Sequence, residues 1–212
     1  WLEKPTGAPC TLTATAQGDA RPLWAEDGLN GGAALSFDVK NQFLNLDELQ
    51  YQSSGRSILW VGSSPYFPND NKGTLHAWIN PRQSVISDGL WGTARAASGL
   101  EDGALTYTNY RDGEWLTTRF GEGFQKDSGE ATLLGFSHAT SGTLTAYSAG
   151  HAIGHADVGY ADEIGWRTIG AGAGHYDKFY GMIGAAIVFD RVATDVEIEK
   201  IHQWSMGRWG VK

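Results

Sequence analysis

The chain of 212 residues contains a single cysteine, Cys10. An intrachain disulfide is therefore excluded, and the fold does not depend on one. Positive charge is scarce: 16 Lys and Arg stand against 24 Asp and Glu, a formal net charge of −8, and no basic run occurs. That balance disfavours a groove that tracks phosphates, so nucleic acid is not an expected partner. No apolar stretch approaches the length of a membrane-spanning helix, so membrane insertion of that kind is not expected. Internal repeats and linkers are missing too, and helix-period patterning is confined to the last segment. What remains is one domain over residues 1–212, long enough for a substantial core. The chain opens at Trp1 without a methionine; a processed protein or a segment of a longer one is expected.

Glycine and aromatic residues are abundant. The 29 glycines suit many tight turns. Nine tryptophans are enough to ask whether some rings face a ligand. Strand signals recur at Thr11–Ala16, Ala34–Asp38, Ser57–Val61, Thr74–Asn80, Leu90–Thr93, Leu105–Asn109, Glu114–Phe120, Ala131–Ser137, Thr143–Tyr147, Trp166–Ile169 and Tyr180–Phe189. Gly, Pro, Asn and Asp clusters such as Ser63–Lys72 bound them. Strands at such short intervals, with no helices between, argue antiparallel pairing. Ala149–Gly165 reads as the longest irregular piece, and loops of that length are often functional.

The end of the chain is the most specific part. After the strand Tyr180–Phe189, Asp190-Arg191 turns the chain, and Thr194 with Glu197 forms a capping box for one helix. Val196, Ile198, Ile201 and Trp204 form the expected buried stripe, and Gly207 and Gly210 the expected stop.

This ending resembles the LamG-like members of the concanavalin A-like lectin/glucanase superfamily, in their bacterial and phage branch. Phe179, Gly181, Ile183, Phe189 and Arg191 match the strand F-x-G-x-I-x-E-hydrophobic-hydrophobic-Y-x-R. Ala185 and Ala186 stand where its acid is usual. Val192, Thr194, Glu197 and Ile198 match L-S-x-x-E-I, and Arg208-Trp209-Gly210 matches K-W-G. Upstream, Arg21-Pro22, Gly28–Gly31, Ala33–Leu35, Phe37-Asp38 and Phe43-Leu44 are similar to the family's R-P…GLNG-x-PAL-x-FDG run. Leu75–Pro81 is similar to its h-x-h-W-h-x-P strand. The resemblance implies an all-β antiparallel jelly-roll sandwich with one C-terminal helix packed at the edge. It also implies a non-catalytic, lectin-like binding module on a secreted, cell-surface or virion-surface protein, with a glycan as ligand or adhesion as role. The alternatives are a structural module for protein contacts, as in capsid decoration or tail assembly, and a divergent polysaccharide lyase or hydrolase.

Catalytic patterns are weak. The only E-x-D-x-E-like triple, Asp195, Glu197 and Glu199, falls in the helix, where residues two apart diverge. Ser137-His138 and His175-Tyr176-Asp177 contain triad residue types, but nothing in the sequence joins them, and no G-x-S-x-G elbow occurs. No enzyme is expected. His151, His155 and Asp157 would point to one side of an extended segment, so two imidazoles and a carboxylate could meet there. The bland alternative is a loop with scattered polar residues. Asp70 and Asn71, within Pro68–Gly73, offer hard oxygen ligands, and the resemblance implies calcium at a sandwich rim as an available cofactor. The alternative is a turn-forming cluster, because the ligand number is small.

The aromatics divide. Phe37, Trp60, Trp78, Phe136, Phe189 and Trp204 sit in apolar patterning and read as core. Tyr66, Phe67, Trp91, Tyr107, Tyr110, Trp115, Tyr160 and Trp166 lie at strand ends or beside polar loops, where flat rings suit sugars. About half of such rings would also pack inward. The expected binding surface gathers Ser63–Gly73, Tyr107–Trp115 and Ala149–Trp166 at one end of the sandwich. Its expected ligand contacts are Tyr66, Tyr110, Trp115, His151, His155, Asp157 and Trp166. A glycan or a surface protein is the expected partner, with several copies of the domain acting together.

Overall fold

The computed structural model describes residues 14–15, 21–38, 42–46, 55–63, 86–87, 96–101, 104–111, 114–121, 130–159, 168–170 and 179–212. In chain order the strands are β1 (Ala14–Thr15), β2 (Leu23–Leu29), β3 (Gly32–Asp38), β4 (Leu44–Leu46), β5 (Arg56–Ser63), β6 (Ile86–Ser87) and β7 (Ala96–Glu101). They continue as β8 (Ala104–Arg111), β9 (Glu114–Phe120), β10 (Thr132–His138), β11 (Thr143–Ser148), β12 (His151–Asp157), β13 (Thr168–Ile169) and β14 (Tyr180–Phe189), before the helix α1 (Asp195–Trp209). Among the described residues they form two seven-stranded sheets, ordered β1-β4-β13-β6-β7-β8-β9 and β12-β11-β10-β5-β14-β3-β2. The architecture is the expected antiparallel jelly-roll sandwich with one C-terminal helix. Thr74–Asn80, Leu90–Thr93 and Trp78 lie outside the described residues.

β5 explains the layering. Its sequence, RSILWVGS, is rich in β-branched and large apolar residues, and all eight positions are buried. Ile58 and Trp60 face the other sheet, in a core shared with Phe37, Tyr107, Phe120, Phe136 and Phe179. Leu59 and Val61 face the opposite way, into a second core with Leu29, Leu133, Ile198 and Trp209. Successive residues of a strand alternate faces, so a strand filled on both must be covered on both. The helix therefore covers the outer face of the second sheet instead of packing at an edge.

Local chemistry fixes that helix. Glu197 N–H donates to Thr194 Oγ1 at 3.3 Å, while Thr194 N–H donates to Glu197 Oε2 at 2.9 Å. The capping box is thus formed. Gly210, at φ 60°, is the left-handed C-cap, whereas Gly207 lies within the helix. The buried stripe differs from the expected one. It is Ile198, His202, Ser205 and Trp209, at i, i+4, i+7 and i+11. Val196 and Trp204 are 63% and 42% exposed. Trp209 displaces Trp204 as the anchor because it enters a gap that glycines leave: a Cβ on Gly184 would lie 2.6 Å from its ring. Its indole N–H donates to the Ala33 carbonyl at 2.9 Å.

Two hairpin turns have a positive φ at both central residues, the pattern of a type I′ turn. Asn30-Gly31, with φ 46° and 80°, joins β2 to β3, as an Asn-Gly pair should. Ala149-Gly150, with φ 48° and 80°, joins β11 to β12. The second turn corrects the irregular reading of residues 149–165, since His151–Asp157 is a strand. Alanine seldom adopts positive φ, so this hairpin carries no sequence signal. Among the described residues no helix is long and apolar enough to cross a membrane.

Candidate functional site

The strand registers gather polar residues at one end of the sandwich. His138, the last residue of β10, pairs with Arg56 of β5 and with Leu144 of β11. Leu144 in turn pairs with Ala156 of β12, so Asp157 to Gly159 close the same row. Tyr107 enters from the facing sheet, its ring edge-on to His138 with centroids 5.5 Å apart.

Arg56, His138 and Tyr107 are each about 1% exposed. Arg56 Nη2 donates to His138 Nδ1 at 2.9 Å and to the Tyr107 hydroxyl at 3.4 Å. The Tyr107 hydroxyl lies 3.2 Å from the same Nδ1. With Nδ1 accepting, Nε2 carries the proton and donates to the Gly159 carbonyl at 2.6 Å. Burial and the Arg56 charge lower the His138 pKa from 6.5 to about 4, against the bond to Gly159, which favours the protonated ring. The imidazole is thus neutral at neutral pH and ties β10 to the segment after β12. Tyr107 belongs to this core and not to the rim of ligand-facing rings.

Tyr110 and Trp115 lie farther out at the same end. Phe120 of β9 meets Phe136, while Tyr107 meets both Phe136 and His138. Moving along β8 from the partner of Phe120 toward Tyr110 therefore leads past His138. Tyr110 and Trp115 pair directly, one step from the closed end of the β8–β9 hairpin. The run beginning at Ser63 leaves from the other end of β5, about 23 Å away at 3.3 Å per residue. The three expected segments thus do not leave from one end. Tyr66, Asp70, Asn71, Trp166 and the His175–Asp177 run lie outside the described residues.

The polar set on β12 is divided. His155 and Asp157 lie two residues apart, paired with Thr145 and Thr143 of β11, and both are exposed. His155 Nδ1 is 2.9 Å from Thr145 Oγ1, and Asp157 Oδ1 accepts from Gly159 N–H at 3.1 Å. A bulge between Ala146 and Tyr147 changes the register before His151. His151 then meets α1, its ring 6.3 Å from that of His202. Among the described residues no group of three or more His, Cys, Asp or Glu side chains is placed to hold a metal.

The acids and hydroxyls that suggested catalysis have structural partners. Arg191 forks onto Glu197 with contacts of 2.8 and 2.6 Å, and this pair with the Thr194 bonds lowers the carboxyl to about 2. Glu199 accepts from Gln203 at 3.0 Å. Ser137 and His138 point to opposite faces of β10. Ser137 Oγ is 2.7 Å from Ser57 Oγ, which accepts from Ala193 N–H at 2.8 Å and so secures the approach to the helix.

No family model and no curated protein sequence matches the chain. Solved structures do. The binding domain of Paraclostridial Mosquitocidal Protein 1 superposes with a TM-score of 0.66 at 12% identity, over 95% of this chain and 50% of that one. Domain 4 of an extracellular arabinanase from Geobacillus stearothermophilus, solved in complex with arabinotriose, gives 0.61 at 17% identity over 91% and 87%. The receptor binding domain of botulinum neurotoxin type G gives 0.61 at 11% identity over 92% and 46%. The chain thus spans about half the length of the two toxin binding domains and most of the arabinanase domain. What all three share with it is the jelly-roll β-sandwich fold.

Proposed function

We propose that the chain is a non-catalytic, lectin-like module that recognises a glycan, on a secreted, cell-surface or virion-surface protein. The observation that carries this reading is the likeness, over 91% of the chain, to an arabinanase domain solved with arabinotriose. The two toxin binding domains of the same fold agree with a recognition role. A fold does not bring its chemistry along, so the residues must support the reading separately. Hydrolysis needs one protonated and one ionised carboxyl on either side of a sugar. Glu197 cannot be the acid, because Arg191 and Thr194 hold it ionised, and both its oxygens are taken by those partners.

The rim at the Arg56 end offers the better surface. Tyr110 and Trp115 pair in the β8–β9 ladder, three residues along β8 from Tyr107, whose ring meets His138 of the polar row. Aromatic faces take the C–H side of a sugar while polar neighbours take its hydroxyls. His155, Asp157 and Trp166 complete the ligand contacts in this reading, while Tyr66, in the run that begins at the other end of β5, is left out of it. His151, turned toward the helix, falls at its margin. Calcium at Asp70 and Asn71 is an accessory, tested by repeating the assay with a chelator.

A glycan array probed with the multimerised domain tests the proposal. Specific binding that is lost in Tyr110→Ala and Trp166→Ala, both still folded, is the expected result. Capture of a surface protein with no glycan bound would favour the structural module instead. Oligosaccharide release that disappears on changing one acid would make the chain an enzyme.

A further inference from the structure

We propose that Asn30-Gly31, the turn between β2 and β3, is a site of spontaneous deamidation, and that the acid formed there releases the C-terminal end of α1. The reacting groups are the Asn30 side-chain amide, the Gly31 backbone nitrogen and water. The inference stands apart from the glycan reading and holds whatever the domain binds.

The sequence sets the first condition. Deamidation begins when the backbone nitrogen of the next residue attacks the side-chain amide carbon, and a side chain on that next residue obstructs the approach. Of the seven asparagines, only Asn30 is followed by glycine. The fold sets the second condition. Leu29 pairs with Gly32, so Asn30 and Gly31 are the two turn residues outside the ladder. Both are exposed, and nothing lies within 4 Å of where a Cβ on Gly31 would be. The turn is therefore open to water.

The step needs no oxidant or reductant. The Gly31 nitrogen bonds to Cγ of Asn30, and Nδ2 leaves as ammonia with the proton from that nitrogen. A five-membered succinimide remains, and water opens one of its two C–N bonds. Cleavage at Cγ gives aspartate. Cleavage at the main-chain carbonyl gives isoaspartate, which inserts the side-chain methylene into the backbone.

The amide's partner gives the reaction its consequence. Asn30 Nδ2 donates to the Trp209 carbonyl at 2.8 Å. Trp209 is the last residue of α1, so its carbonyl is one that a helix end leaves without a partner inside the helix. The C-cap Gly210 packs against the same side chain: its Cβ would lie 3.6 Å from Asn30 Nδ2. Either product replaces the donor with a carboxylate that only accepts. That carboxylate faces a carbonyl oxygen at the negative end of the helix dipole, where an anion is unfavourable. The Trp209 ring keeps its bond to the Ala33 carbonyl at 2.9 Å, so the change frays the last turn and does not expel the helix. Isoaspartate adds a second disturbance, because a two-residue turn sets the register of its hairpin.

The test is ageing of the purified domain in warm, mildly alkaline buffer, beside Asn30→Gln and Asn30→Asp. Peptide mapping with fragmentation should find the amide-to-acid mass gain at Asn30 before any other asparagine, in both the aspartate and the isoaspartate form. The gain should slow in mild acid, where the Gly31 nitrogen loses its proton less readily. Asn30→Gln, which would have to close a less favourable six-membered ring, should gain no acid there. Asn30→Asp should melt about 2–4 °C below the parent without ageing, the scale of one lost hydrogen bond in a domain of this size. In that variant the Gly210 N–H, which donates to the Met206 carbonyl at 3.0 Å, should exchange faster with solvent, while the amides of the β5–β10 ladder keep their protection. If Asn30 keeps its amide over the period in which the urea-unfolded chain loses it, or if another asparagine reacts first, the assignment of the site fails. If Asn30 deamidates but Asn30→Asp matches the parent in melting and in Gly210 exchange, the release of the helix end fails. Should Asn30→Asp not fold, the aged wild-type domain takes its place, and its Gly210 exchange must rise with the fraction of acid at Asn30 for the release to stand.

Discussion

The two hydrophobic cores differ in how they are closed. Between the sheets, rings enter from both sides: Phe37, Trp60 and Phe136 from the second sheet, Tyr107 and Phe120 from the first. On the outer face of the second sheet the floor is mostly aliphatic and small, with Leu29, Ala34, Leu59, Val61 and Leu133 beside the one buried ring Tyr147, and the indole of Trp209 fills it from the helix. Facing sheets lie about 10 Å apart, so many large side chains must share the gap. A helix comes close at one line of contact, so a single indole entering over glycines closes the outer core. The first core shares its contacts among many rings, and the second takes its largest side chain from the helix. With both faces of that sheet occupied near β5, the proposed glycan site is left to the rim.

The largest test of that contrast is Trp209→Ala. Removing a fully buried indole should cost about 3–5 kcal/mol in chemical denaturation, and Phe136→Ala, with more rings around it, should cost no more. A Trp209→Ala loss well under that of Phe136→Ala would show that the helix is not held by its tryptophan. Trp204→Ala, by contrast, should leave stability within about 0.5 kcal/mol, as for other surface sites.

The next test uses the polar end of the inner core. The folded-state pKa of His138 is depressed to about 4. Above about pH 6.5 both the folded and unfolded states are neutral at this site, so it contributes no pH dependence. Between that pH and 4 the unfolded chain takes up a proton that the folded one refuses, so stability falls as pH falls. Below 4 both bind it and the loss levels off, at an order of magnitude of about 3 kcal/mol. An NMR titration giving His138 a midpoint near 6.5 would contradict the burial and the Arg56 contact together.

A smaller effect is expected in the outer core at Gly184→Ala. A Cβ there would lie 2.6 Å from the Trp209 ring, and overpacking of this kind costs about 1–3 kcal/mol. Unchanged unfolding would mean that Trp209 can withdraw, and that the outer core is softer than its burial suggests.

The smallest effect lies at the margin of the outer core, where Gly150 approaches His202. Ala149 holds φ 48° in the β11–β12 turn. Ala149→Gly should relieve that conformation and raise stability by about 0.5–1 kcal/mol. A drop in melting temperature would argue that a methyl group there matters more than the backbone.

Where sequence and structure part company, the cause is nearly always distance along the chain. β9 and β14 match their expected bounds, because alternation and turn residues are local and the ladder that forms them repeats every two residues. The capping box at Thr194 and Glu197 is also local, three residues long. β12 was not legible, because its turn places alanine where only the hairpin's twist demands positive φ. Tyr107 shows no sign of burial in its neighbours Thr106 and Thr108, since Arg56 and His138 meet it only across the sandwich. Trp204 and Trp209 are equally apolar and five residues apart. Which of them is buried depends on where Gly32 and Gly184, both far earlier in the chain, leave a gap. The candidate rim was half legible: the pairing of Tyr110 with Trp115 across adjacent strands is local, but the approach of their hairpin to His138 through Tyr107 required both sheets. The sequence by itself determined the strands with regular alternation, the single capped helix and the all-β class, because each follows from backbone preference over a few residues. The tertiary structure decided which ring anchors the helix, where Tyr107 lies and how the β12 polar set divides, because those follow from which distant surfaces leave room.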